Sequence, residues 1–93
     1  MLFRSVAPVV RADSEASDHF TILDIVADNA LGLLYRISRV ISRHGCDVGL
    51  VLISTEGERA IDVFHITKAG VKLTEAEQRT LTSDLQDTLE GTL

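Results

Sequence analysis

The chain has 93 residues, of which 45% are hydrophobic and 25% charged, and its net charge is −5 at neutral pH. That size and composition suit one globular domain with a single core. The acidic charge argues against a nucleic-acid partner, which needs lysine and arginine to neutralise phosphates, and the apolar runs are too short for a membrane-spanning helix of about 20 residues.

The N-terminal part predicts two strands. Residues 6–12 predict a short strand, in which Pro8 suits a sheet edge because its missing N–H costs least there. The polar residues 13–18 predict a loop. The β-branched run Phe20–Ala27 predicts the second strand.

The clearest pattern is a helix that opens after the turn at Asp28–Gly32. Its apolar stripe recurs at helical period and comprises Leu33, Leu34, Ile37, Val40, Ile41 and His44. Asp28 or Asn29 is a suitable N-cap, and Gly45 predicts a left-handed C-terminal stop. The opposite face carries Arg36, Arg39 and Arg43, which we interpret as a solvated stripe or a contact with another domain.

The second half predicts a hairpin followed by a helix. Strands Cys46–Ser54 and Arg59–Thr67 are joined by a turn at residues 55–58, in which Gly57 can supply a positive φ. Thr74 and Glu77 fit a capping box that opens the second helix. Leu81, Leu85 and Leu89 continue that helix to a stop near Gly91.

The resulting order, β–β–α–β–β–α, predicts an α+β fold, a two-layer sandwich of the ferredoxin-like kind. We expect one domain, with residues 1–18 as an N-terminal edge strand and loop and 19–93 as the core. Apolar residues occupy both faces of the strands at 22–26 and 48–53. Two helices cover only one face of a sheet, so we predict that a second copy, in a homodimer, or a docked partner domain covers the other.

The residues 28–34, Asp-Asn-Ala-Leu-Gly-Leu-Leu, resemble the ACT-domain signature, in which a strand leads through a glycine turn into a helix. The residues 57–64, Gly-Glu-Arg-Ala-Ile-Asp-Val-Phe, are similar to the C-terminal ACT module of bacterial PII uridylyltransferase/uridylyl-removing enzymes. The resemblance covers about residues 7–90. It implies a βαββα sandwich in which an extra N-terminal strand replaces the last strand. It also implies allosteric sensing of an amino acid, with glutamine favoured as a signal of nitrogen status.

The same resemblance, read with the chemistry of a helix N-terminus, gives a set of ligand-binding candidates. Free amides and a partial positive charge can seat a carboxylate, and Gly32 allows close approach. In dehydrogenase-type ACT domains, the positions that match Asn29 and Asp47 contact the ligand; here Asp47 would hold its ammonium across a dimer interface. The candidates are Asn29, Ala30, Leu31, Gly32, Leu33 and Asp47. Alternatively, Asn29 is only a cap and Asp47 a solvated carboxylate.

The remaining reactive side chains form no catalytic or metal-ligating pattern. We therefore expect no enzyme activity, metal or cofactor in this chain. Cys46, the single cysteine, is expected to be a buried small hydrophobe, and the absence of a disulfide or signal peptide predicts a cytoplasmic protein. Asp62 is unusual among apolar strand neighbours: it faces solvent or pairs with Arg59 or Arg11.

Two alternatives to the sensor function remain open from the sequence. The domain could be a ligand-free dimerisation or interaction module, or a free-standing ACT protein of another amino-acid pathway. If it is instead a piece excised from a uridylyltransferase, the catalytic domains of the parent enzyme are missing from this sequence.

Overall fold

The computed structural model describes residues 7–91, in which four strands and two helices follow one another in the predicted order. They are β1 (Val9–Asp13), β2 (Thr21–Asp28), α1 (Leu33–Arg43), β3 (Cys46–Glu56), β4 (Arg59–Lys68) and α2 (Glu75–Glu90). The α+β class is confirmed. Val6, the predicted start of the first strand, lies outside the described residues. Ala7 and Pro8 precede β1, and Asp13, predicted in the loop, is its last residue.

The strands form one antiparallel sheet in the order β1-β2-β4-β3. Helix α1 connects β2 to β3, and β4 returns between them, which is the ferredoxin-like arrangement. β1 lies at the edge beside β2. The N-terminal strand therefore occupies the place that a strand after α2 would take, as the resemblance implied.

Both helices pack on one face of the sheet and bury one parity of the central strands. Strands β2 and β4 contribute Leu23, Ile25, Phe64 and Ile66, all at most 1% exposed. The helices contribute a matching set of fully buried side chains, namely Ile37, Val40, Ile41, Leu81 and Leu85. Dispersion and apolar burial in this layer hold the helices against the sheet.

The other parity of the strands forms a second, uncovered surface, which we call the open face. Its apolar residues share cross-strand register and are Ile22, Val26, Leu50, Leu52, Ile61 and Val63. Leu50 and Leu52 are 47% and 53% exposed. The apolar character on both faces that the sequence indicated is thus present, and within one copy the helices cover only one of the two faces.

The arginine stripe of α1 contacts α2 and its own helix as well as solvent. Arg36 donates to the Thr88 carbonyl at 2.8 Å, and Arg43 lies 3.6 Å from the Asp84 carboxylate. Arg39 stacks over the Tyr35 ring. Arg39 and Arg43 are exposed, as expected of a solvated stripe, whereas Arg36 is half-buried and joins α1 to α2.

The turns and stops predicted from glycine are confirmed. Gly45 adopts a left-handed φ of 73° directly after the α1 C-cap, and Gly57 adopts 63° in the hairpin turn. Helix α2 begins at the predicted capping box and ends at Gly91. These local signals work because the geometry they impose depends on few neighbours.

Candidate functional site

The segment between β2 and α1 is held against the hairpin end of the sheet. Asp28, the last residue of β2, is in register with Arg59, and the Asn29 amide donates to the Glu58 carbonyl at 2.8 Å. The Ala30 amide then donates to the Asp28 carbonyl at 2.8 Å. These bonds turn the chain out of the sheet immediately before α1.

Helix α1 begins without a side-chain cap. Its N-cap is Gly32, at a left-handed φ of 81°, and no side chain accepts a hydrogen bond there. The expectation that Asp28 or Asn29 caps this helix is wrong, because the turn puts both too early in the chain. The Leu33 amide donates to the Ala30 carbonyl at 3.2 Å, whereas Leu34 and Tyr35, in the same first turn, have no partner for their amides within the helix.

A cleft of about 410 Å³ opens at this uncapped end. Its volume lies within the roughly 300–1,000 Å³ of small-molecule sites. Its walls come from the β2–α1 turn, the start of α1 and the helix-facing side of β3 and β4, and they comprise Asn29, Ala30, Leu31, Gly32, Leu33, Leu34, Tyr35, Ile53, Ala60 and Asp62.

Small side chains beneath the start of α1 explain the space. Ala27 and Ala60 are paired across β2 and β4, and both are buried. Farther along the same strand faces, Leu23 and Phe64 fill the corresponding positions. The methyl side chains of Ala27 and Ala60 fill little of the space between the sheet and the start of α1.

Asp62 is the charged side chain in the wall of this cleft. It is 1% exposed, and neither carboxylate oxygen has a hydrogen-bond partner among the described residues. Burial raises the pKa of this carboxyl above its ordinary value of 3.8. The alternatives from the sequence are wrong: Asp62 does not face solvent, and neither Arg59 nor Arg11 is hydrogen-bonded to it. Arg59 pairs with Glu56 instead.

Strand parity in the sequence indicates where Asp62 lies. Asp62 shares strand parity with Phe64 and Ile66, and alternate residues of a strand face the same side of the sheet. That parity places the carboxylate in the helix-covered layer.

The structure brings five of the six predicted ligand-binding residues together and leaves one apart. Residues Asn29, Ala30, Leu31, Gly32 and Leu33 all line the cleft. Asp47 pairs with Thr67, which lies five residues along β4 from the cleft residue Asp62. At the rise of a strand, this separation along β4 is roughly 17 Å. The contact of Asp47 with a ligand stays a prediction that requires a second copy.

The mouth of the cleft is apolar and exposed. Leu31 projects fully into solvent, Tyr35 is 65% exposed and Ile53 is 57% exposed. Exposed apolar groups around a cleft are typical of a surface that is covered when a ligand or a partner binds.

The other reactive side chains lie away from this cleft. Cys46 is buried, as expected, and burial raises the pKa of its thiol. The His44 ring lies 2.7 Å from the Asp84 carboxylate and joins α1 to α2; this contact is the first cause that lowers the pKa of Asp84. Within residues 7–91, no three His, Cys, Asp or Glu side chains are arranged to hold a metal ion.

The family model described as "ACR9-like, ACT-like domain" matches residues 9–93. The chain belongs to the ACT-like domain family. In the part of the chain that is described, this ACT-like domain has no helix both long and apolar enough to cross a membrane. No solved structure gave a significant match.

Curated relatives of this ACT-like domain are bifunctional uridylyltransferase/uridylyl-removing enzymes. The one from Phenylobacterium zucineum is 37% identical over 76 residues, and the one from Novosphingobium aromaticivorans is 34% identical over 74. The match covers 81% and 80% of this chain but only 8% of each relative. The relative from Azospirillum brasilense is 36% identical over 70 residues, which is 74% of this chain and again 8% of the enzyme. The domain is thus homologous to a small part of those enzymes.

Proposed function

We propose that this ACT-like domain is a regulatory module that binds a free amino acid in the α1 cleft, with glutamine favoured. The observation that carries the proposal is the uncapped N-terminus of α1 at the edge of a cleft of suitable volume. A helix N-terminus of this kind favours a carboxylate through its free amides and its partial positive charge.

The choice of glutamine rests on the relatives. They are named as uridylyltransferase/uridylyl-removing enzymes, and an amino acid that reports nitrogen status suits the control of such an enzyme. In this proposal the domain has no catalytic role, and ligand binding changes how it packs against the catalytic domains of a parent enzyme. A coupling free energy of about 1–3 kcal/mol between the two sites is sufficient for that control.

A thermal-shift screen of the purified chain against the twenty amino acids tests this proposal. At a hundredfold excess over Kd, a specific ligand adds about 2.7 kcal/mol to the free energy of unfolding, or on the order of ten degrees of Tm for a domain of this size. A shift with glutamine supports the nitrogen sensor. A shift with serine or another amino acid moves the domain to a different pathway, and no shift with any of the twenty contradicts amino-acid binding.

A second candidate function, dimerisation without a ligand, is favoured by the open face. Leu52 is paired with the half-buried Val63, and Leu50 and Ile61 flank this pair on the same face. An apolar sheet surface of this kind is stabilised when another apolar surface covers it. A homodimer through the open face is compatible with the sensor function, but it is the whole function if no amino acid binds.

The oligomeric state of a charged variant tests the homodimer. Leu52→Glu puts a carboxylate in the open face and should turn a dimer into a monomer in analytical ultracentrifugation. Val71→Glu is the matched control, because Val71 is an exposed apolar residue outside the four strands. If the wild type is a monomer at high concentration, or if both variants dissociate equally, the open face is not the dimer interface.

A further inference from the structure

Asp62 is a carboxylate whose environment costs stability. It lies on the helix-facing side of β4, in register with Ile25 and Ile53, and is 1% exposed. A buried charge is normally paired or hydrogen-bonded, because removing it from water without compensation is unfavourable. Neither oxygen of Asp62 has a hydrogen-bond partner in residues 7–91.

This carboxylate lies across the cleft from the start of α1. The cleft has Asp62 and Ala60 on its sheet side and Gly32 to Tyr35 on its helix side. The helix side offers amide donors and partial positive charge, whereas the sheet side offers a negative charge with unused acceptor capacity. The two sides of the cleft are therefore complementary to a small dipolar ion.

We propose that Asp62 is the ionic contact for the ligand's ammonium, so that an α-amino acid lies with its carboxylate at the N-terminus of α1 and its ammonium against β4. This inference rests on the proposed function and adds the group that selects for a free amino terminus. It assigns to one residue of the same chain the role that the resemblance had assigned to Asp47 of a second copy.

The wall opposite the sheet fits the remainder of the ligand. Leu31, Leu34 and Tyr35 are exposed and carry apolar surface at the mouth of the cleft. They contact the side chain of the amino acid once its two charged groups are in place. The selectivity for a free ammonium then comes from Asp62, and the choice among amino acids comes from these three residues.

Calorimetric titration of three isosteric variants tests the assignment, with L-glutamine and each amino acid active in the screen as the probes. Asp62→Asn removes the negative charge and should raise Kd by about 10- to 100-fold, the range of a lost charge-assisted hydrogen bond. Asp18→Asn, in the exposed loop before β2 and outside the residues that line the cleft, is the matched control and should leave Kd unchanged. Asp47→Asn tests the alternative assignment.

A second ligand separates the ammonium from the rest of the molecule. The N-acetylated form of the active amino acid keeps its carboxylate and side chain but has no ammonium, and it should not bind the wild type. If N-acetylation leaves the affinity unchanged, the proposal is overturned.

The stability of the ligand-free variant distinguishes a binding role from a structural one. A buried carboxylate whose partner is a ligand destabilises the ligand-free domain, because its charge is then unpaired. Asp62→Asn should therefore melt at or above the wild-type Tm at pH 8. A lower Tm, or failure to fold, would show that Asp62 supports the fold and would overturn the assignment.

The two failures are distinguishable. If the wild type binds an amino acid and Asp62→Asn binds it equally well, this inference is wrong and the proposed function stands. If the wild type binds none of the twenty amino acids, the proposed function is wrong and this inference falls with it.

Discussion

The two helices of this domain begin in opposite ways. At α2, Thr74 and Glu77 satisfy each other: the Glu77 amide donates to the Thr74 hydroxyl at 3.1 Å, and the Thr74 amide donates to the Glu77 carboxylate at 2.8 Å. At α1, Gly32 has no side chain to offer, and a cleft lined by Asp62 lies beside the first turn.

This difference separates a helix end that is stabilised internally from one that is left open to the outside. In the capping box, the Glu77 amide of α2 finds its acceptor within the protein. The hydrogen bond that the Thr74 amide donates to the Glu77 carboxylate is the first cause that lowers the pKa of Glu77. At α1 the amides of Leu34 and Tyr35 have no partner within the helix, and burial of the nearby Asp62 carboxylate lowers stability. Natural domains accept such local instability mainly where they bind something.

The largest expected effect comes from neutralising Asp62. Its folded-state pKa is raised, so the folded state binds more protons than the unfolded state between pH 3.8 and that raised pKa, and stability falls as the pH rises through this window. Asp62→Asn should therefore raise the free energy of unfolding by about 1–3 kcal/mol at pH 8. Below pH 3.8 this gain should vanish.

Urea unfolding of both proteins at pH 8 and pH 3.5 measures this difference. Asp18→Asn is the control, because Asp18 is exposed in the loop before β2 and lies outside the open face. An equal gain at both pH values would mean that burial of the charge is not the cause.

Gly32→Ala should have the next largest effect. A Cβ at this position meets no atom within 4 Å, so the cost comes from the left-handed φ of 81° and not from a clash. An L-residue in that conformation loses about 1–2 kcal/mol. Gly49→Ala is a useful contrast because the φ of Gly49 is not in the left-handed region, whereas an added Cβ would lie 2.7 Å from the Phe20 ring. Thermal denaturation of both variants tests whether conformation alone explains the loss at Gly32.

Thr74→Ala should cost about 0.5–2 kcal/mol, because it removes the hydroxyl that caps α2. Thr80→Ala is a matched control: Thr80 lies in the same helix, and its hydroxyl donates only to the Ala76 carbonyl one turn back. Denaturant unfolding should show a loss for Thr74→Ala and little change for Thr80→Ala. The amino-acid affinity should not change in either variant, since both positions lie outside the α1 cleft.

The smallest effect on stability is expected at Asn29. Its side chain is exposed and does not cap α1, so Asn29→Ala should change the free energy of unfolding by less than about 0.5 kcal/mol. Its affinity for the amino acid should nevertheless fall if the side chain contacts the ligand. A loss above 1 kcal/mol in urea unfolding would show that the Asn29 side chain stabilises the fold, and would contradict this prediction.

Much of the architecture could be predicted from local sequence signals. The capping box at Thr74, the stop at Gly45 and the hairpin turn at Gly57 each involve only a few neighbouring residues. Their geometry therefore depends little on tertiary contacts. The cap of α1 could not be predicted in the same way. Asp28 and Asn29 have suitable side chains, but the hydrogen bond from Asn29 to Glu58 on the hairpin fixes where the chain turns.

The order of strands and helices, the apolar character of both sheet faces and the family of the domain could be read from the sequence, because periodicity and short motifs are local properties of the chain. That Asp62 lines the α1 cleft and Asp47 does not became visible in the folded chain. The reason is that both facts depend on which ends of distant strands meet. The register of β4 between β2 and β3 places Asp62 in the wall of the cleft that Gly32 also lines, whereas Asp47 pairs near the other end of β4.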